Sequence, residues 1–145
     1  MAPSITICSS FRFYPDVVRL QRELEEAGIR CEIPIPNEYL DPKNPSNLRE
    51  GLVELKPEMF SALWKSVGDH LKRIVDTSLI YVFGGNKGYV GRGVSAEMGY
   101  GHCLKKYDPL QKSRSILSSA PLSDITMRAF VEEVVRPEQL IRRLQ

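Results

Sequence analysis

Two carboxylates near the middle of the chain, Asp76 and Glu97, have the types and setting that chemistry needs. Glu97 follows VGRGVSA, within the first turns of an expected helix, where backbone N–H groups and the helix dipole favour its anionic form. A carboxylate held that way can attack carbon as a nucleophile. The plain alternative is a solvated glutamate at a helix start. Asp76 ends an amphipathic helix or stands in the turn before the apolar run 79–83. It is either a cap bonded to backbone N–H groups or the second member of a pair with Glu97. Carboxylate pairs suit glycosidic bonds, because the transition state has oxocarbenium character and one group attacks while the other orients a hydroxyl or shares a proton.

Around this pair stand residues suited to a small ligand. Ser9, Ser10 and Arg12 follow an expected first strand, so that loop and the next helix terminus form a possible anion cradle. Arg92, between Gly91 and Gly93, can reach the same anion or pair with Glu97. Each of these equally suits ordinary turn chemistry and solvation. Tyr14 and Tyr89 flank the two loops and can contact a base or ribose, or simply pack. The segment GGNKGYVGRG is neither a dinucleotide fingerprint nor a Walker A loop, since both spacings are wrong. His70 falls near an apolar helical stripe and reads as structural. His102, five residues after Glu97, lies off that residue's helical face.

The elements that must position these residues follow from pattern. Ile5 to Cys8 is a β-branched run, and Pro15, Val17, Leu20, Leu24 and Ala27 describe a helix that Gly28 stops. IRCEIPI predicts a second strand, making a βαβ unit with parallel pairing. Residues 36–56 have little periodicity and read as a lid, a subunit contact or a surface loop. From Pro57, the residues Phe60, Leu63, Trp64, Val67, Leu71, Ile74 and Val75 line one face of a strong helix, with Phe60 and Trp64 expected in core or dimer packing. Leu79 to Phe83 predicts a third strand, SRSILSSAP a fourth and Val134–Val135 a short fifth. Helices are expected over 123–133 and in PEQLIRRLQ. The alternation favours one α/β domain over residues 1–145, a three-layer sandwich with a flavodoxin-like parallel sheet of about five strands.

Composition bounds the function. The chain has 145 residues, 42% apolar and 26% charged, the balance of a folded domain. A net charge of +2 gives no reason to expect a polynucleotide partner. No segment approaches the roughly 20 apolar residues of a membrane span, so no membrane partner is expected. Cys8, Cys31 and Cys103 are widely spaced in or beside apolar segments, which predicts buried reduced thiols, a reducing compartment and a cytoplasmic protein. Neither a zinc set nor a redox pair has the spacing it needs.

Three landmarks together resemble the nucleoside 2-deoxyribosyltransferase-like superfamily. They are a first strand running into a small-residue loop (ITICSSFRF), an aspartate before the third strand (IVDTSLIYVF) and a glycine loop leading to a glutamate (GYVGRGVSAEMGYG). The resemblance implies a flavodoxin-like fold, a homodimer or higher homo-oligomer, and a nucleoside or nucleotide substrate whose base–sugar bond is broken without metal or redox cofactor. It implies Glu97 as nucleophile and Asp76 as the acid of the sugar and base pocket, with Ser9, Ser10 and Arg12 by the 5′ side and Ser95 near the nucleophile. Where transferases of free nucleosides carry an aspartate six residues before the nucleophile, this chain has Gly91, with Arg92 beside it. That departure leans toward a nucleoside 5′-monophosphate N-glycosidase. The alternatives are a deoxyribosyltransferase exchanging bases, and a non-catalytic nucleotide-sensing or structural protein.

Overall fold

The computed structural model describes residues 2–37 and 57–145; the segment 36–56, read as a lid, a subunit contact or a surface loop, lies almost wholly outside the described residues. Five parallel strands form one sheet in the order β2-β1-β3-β4-β5, the flavodoxin-like order expected. They are β1 Ser4–Ser9, β2 Arg30–Glu32, β3 Leu79–Phe83, β4 Ser115–Ser118 and β5 Glu133–Val134. The helices are α1 Tyr14–Glu26, α2 Pro57–Asp76, α3 Arg92–Tyr107, α4 Ile125–Arg128 and α5 Pro137–Leu144.

Strand alternation sorts the core into two layers. Ile5, Ile7 and Tyr81 face one side, where Val17, Leu20 and Leu24 of α1 and Leu140 of α5 cover them. Cys8, Ile80 and Val82 face the other, against Ile74 of α2 and Val94 and Met98 of α3. The Tyr81 hydroxyl donates to the Val135 carbonyl at 2.7 Å, which satisfies a phenol buried beneath the first layer. On the second side the Thr6 hydroxyl donates to the Arg73 carbonyl at 3.0 Å and fixes the end of α2 against β1. Burial, and next the nearby charge of Glu138, raise the Tyr81 phenol above its ordinary pKa.

Two local expectations change. The stripe on α2 does not pack along its whole length: His70 and Ile74 are buried, but Phe60, Trp64 and Val67 are 54%, 73% and 55% exposed. A 20-residue helix is about 30 Å long and a five-residue strand about 17 Å, so the first half of α2 overhangs the sheet. The helix expected over 123–133 is one turn, Ile125–Arg128, capped by the Asp124 carboxylate, which accepts from the N–H groups of Thr126 and Met127. The chain leaves the helix there because Glu132 N–H donates to Ile116 and Val135 N–H to Ser118, drawing it into β5.

The loop after β3 is held by a glycine. Gly88 has φ +65°, and a Cβ there would drive into the Pro121 carbonyl and the Leu122 backbone. Its own carbonyl accepts from Ser123 N–H at 2.9 Å, so the glycine loop is tied to the segment after β4. The cysteines are free; Cys8 and Cys31 are buried as expected, but Cys103 is exposed on α3. Burial, then Glu25 and Glu32, push the Cys31 thiol up to about 12.

Two outcomes are expected. Gly88→Ala will lower unfolding free energy by at least about 2 kcal/mol, from left-handed strain plus the backbone clash, whereas Gly68→Ala, with open space around the new methyl, will raise it by up to about 1 kcal/mol. Urea unfolding of both variants checks the contrast. In a thiol titration at pH 8, Cys103 alone will react rapidly in native protein, and all three cysteines will react after denaturation.

Candidate active site

The chain turns from building outward on one side of the sheet to the other between β1 and β3, and a crevice beyond the carboxyl ends of these strands is where open α/β sheets take ligands. Ser9 closes that end: its hydroxyl donates to the Phe83 carbonyl at 2.8 Å, joining the last residues of the two strands. The side chain is 7% exposed, so Ser9 holds the crevice together before it can serve a ligand. Ser10 caps the 3-10 turn at 11–13, its hydroxyl accepting from Arg12 N–H. Arg12 is thereby turned outward, and its guanidinium carbon lies 3.8 Å from the centroid of the Tyr89 ring. Tyr14 begins α1 and packs its ring on Phe11, with centroids 5.7 Å apart.

Gly91 stands in extended backbone before α3 with no side-chain cap, and Arg92 is the first helical residue. The N–H groups of a helix's first turn have no intrahelical acceptors, so this terminus offers donors to an anion. Gly93 leaves the surface there open, with nothing within 4 Å of the position a Cβ would take. Ser95 instead bonds its own helix, its hydroxyl donating to the Gly91 carbonyl at 3.0 Å. Ser10, Arg12, Tyr89 and the start of α3 thus belong to loops on one edge of the sheet, the edge where β1 and β3 end.

Glu97 lies one turn further into α3 and leans inward. Its Oε2 is 3.5 Å from His70 Nε2, the glutamate side chain being 20% exposed and the histidine 6%. The same His70 nitrogen is 3.8 Å from Cys8 Sγ at the end of β1. The carboxylate oxygen is buried and makes no hydrogen bond among the described residues, and the same is true of His70 Nδ1. Burial, and after it the Glu97 carboxylate, push the Cys8 thiol well above its ordinary range, so it stands as a neutral thiol.

Asp76 is not part of this group. It is the last residue of α2, and two residues later the Ser78 hydroxyl donates to Ser4, the first residue of β1, at 2.9 Å. Cys8 is four residues along β1 from Ser4, roughly 13 Å of strand rise, so the two carboxylates occupy opposite edges of the sheet. The expected carboxylate pair therefore does not form. Glu97 has a histidine and a thiol as its neighbours instead. Neither was marked in the sequence for this role: His70 reads as part of an apolar stripe and Cys8 as a buried strand residue, and their meeting depends on how α2 crosses β1.

A groove of about 1050 Å³ opens on the other side of the same sheet edge, between α1, the glycine loop and α5. Phe13, Asp16, Arg19, Phe83, Asn86 and Arg136 line it, and none of the candidate catalytic or substrate-binding residues read from the sequence does.

No protein-family model matches the sequence, and no curated protein does. Among solved structures, a 2-deoxyribosyltransferase from the psychrotolerant bacterium Bacillus psychrosaccharolyticus matches over 95% of this chain and 90% of that one, with a TM-score of 0.62 and 15% identity. At that identity the likeness is one of architecture: the chain is built on the fold that this 2-deoxyribosyltransferase has.

Proposed function

We propose that the protein is an N-glycosyl-transfer enzyme, which breaks the base–sugar bond of a nucleoside or nucleoside 5′-monophosphate with Glu97 as nucleophile and passes the sugar to a second base. The observation that supports this reading is the position of Glu97. It is the carboxylate that the fold brings to the end of β1, at the switch point of the sheet, on the architecture of a 2-deoxyribosyltransferase. Fixed there by helix α3, it can meet one face of a sugar whose base projects outward.

In the first half-reaction a Glu97 carboxylate oxygen bonds to C1′ as the C1′–N bond breaks, and the base leaves with the electron pair and takes up a proton. In the second, a nitrogen of the incoming base attacks C1′ from the face the first base left, and Glu97 is released as carboxylate. Two inversions give net retention. Water entering in place of the base gives hydrolysis from the same glycosyl-enzyme. Asp76, at the other edge, takes no part in either step, which departs from the role implied by the resemblance. Arg12, braced on Tyr89, and the open start of α3 with Arg92 favour a substrate with a 5′-phosphate.

Purified protein incubated with deoxyribonucleosides and their 5′-monophosphates, with and without an acceptor base, is expected to yield free or exchanged base by chromatography. Glu97→Gln will lower that rate at least about a thousandfold without lowering the melting temperature, since it keeps the shape of the side chain and removes a buried negative charge. Equal rates in both proteins would overturn the mechanism. Arg12→Ala will raise KM for a monophosphate by about tenfold and leave KM for the free nucleoside unchanged, as expected for one charge-assisted contact. Asp76→Asn will leave kcat within about twofold, because the two carboxylates are on opposite edges.

A further inference from the structure

Cys8 and His70 have no task in the reaction just described, yet they and Glu97 present one ligand atom each within 4.8 Å of one another. The three groups come from β1, α2 and α3, and the first two are buried. We propose that Cys8 Sγ, His70 Nε2 and a Glu97 carboxylate oxygen form a site for a single divalent ion of the zinc class, with a fourth position open on the glutamate side.

Geometry is the first support. Tetrahedral zinc with ordinary bond lengths sets its sulfur and nitrogen ligands about 3.6 Å apart and its nitrogen and oxygen ligands about 3.4 Å apart. The corresponding separations here are 3.8 and 3.5 Å, and all three ligand atoms lie within 4.8 Å of one another, so the thiol and the carboxylate draw together by up to about 1 Å around the ion. The second support is the buried Glu97 Oε2, whose contact with His70 Nε2, at 3.5 Å, is too long for a good hydrogen bond. A buried carboxylate oxygen held only by so long a contact is costly, and a cation at the centre of the triangle satisfies it.

Ligand chemistry selects the ion. A thiolate and an imidazole beside one carboxylate suit zinc and its softer neighbours, whereas magnesium and calcium require oxygen donors. When the ion enters, the Cys8 S–H bond gives its proton to solvent as the sulfur–metal bond forms. Glu97 and His70 bind through lone pairs; the imidazole proton is then on Nδ1, a buried atom with no acceptor among the described residues, so the gain at Glu97 is offset in part there. No electron is transferred. The open fourth position follows from exposure, since Glu97 is the member of the three that reaches solvent. Because the ion would hold the Glu97 carboxylate, it would also block glycosyl transfer; that consequence alone rests on reading Glu97 as the nucleophile.

The test uses the full-length protein, stripped with a chelator and titrated with cobalt(II) in the absence of any nucleoside. A thiolate-to-cobalt charge-transfer band saturating at one ion per chain, with the visible intensity of a four-coordinate site and abolished by added zinc, is the expected result. Cys8→Ala will remove the charge-transfer band, and His70→Gln and Glu97→Gln will each weaken binding at least tenfold. Cys103→Ala, which deletes the exposed thiol, will leave the spectrum unchanged. Absence of a charge-transfer band in the parent protein overturns the site, and so does a band lost with Cys103→Ala. Circular dichroism accompanies each variant; should Cys8→Ala not fold, His70→Gln and Cys103→Ala still separate this site from the exposed thiol. A protein that binds cobalt here but transfers no glycosyl group would retain the site and lose only the proposed reaction.

Discussion

The parallel pairing of β1 with β3 is the constraint on which the remaining structure depends. It aligns Ile5 with Leu79 and runs through to Ser9 with Phe83, so one register defines both edges of the sheet. At one edge the Ser78 and Ser4 hydroxyls bond across the strand starts; at the other Ser9 bonds the Phe83 carbonyl. A shift by one residue would reverse which side chains face each layer, exchanging Cys8 with a residue of the α1 side and separating it from His70. The switch point, the placement of the loop at 10–13 and the position of Glu97 are all consequences of that register.

Helix α2 carries the register into the site. The Thr6 hydroxyl on the Arg73 carbonyl and Ile74 in the second core layer settle its rotation about its own axis, and that rotation turns His70 toward the end of β1. Helix α3 completes the arrangement from the same side, with Val94 and Met98 in the core and Glu97 beside them. What results is a carboxylate whose inner surroundings are an imidazole and a thiol, while its outer side meets solvent. Such a carboxylate has few hydrogen bonds to hold it in place, which leaves it available to a carbon centre or a metal ion.

The loops divide between side chains turned to the main chain and side chains turned to solvent. Ser9 and Ser95 direct their hydroxyls to main-chain carbonyls, and Gly88 allows the glycine loop to lie against the segment after β4. Arg12, supported by Tyr89, and the uncapped start of α3 keep their donors toward solvent. A rigid frame beneath exposed cationic donors is the arrangement that anion recognition requires, because ordering the frame has already been met by folding.

Much of this architecture was legible along the chain. The β-branched runs, the helical spacing of Val17, Leu20 and Leu24, and the alternation of strands with helices are local patterns, and they led to the parallel sheet and its order. Glu97 at the start of a helix behind a glycine loop was also readable, since both features lie within a dozen residues. What the sequence could not decide was which groups would meet across elements. Asp76 suits a carboxylate pair with Glu97 by its chemistry and by the resemblance, but the residues between them include a complete strand, which carries the chain from one edge of the sheet to the other. Cys8 and His70 are 62 residues apart and meet because α2 packs antiparallel to β1 over the same layer. Periodicity records which face of an element is apolar; the crossing of two elements depends on their register and rotation, and these arise only when the layers pack.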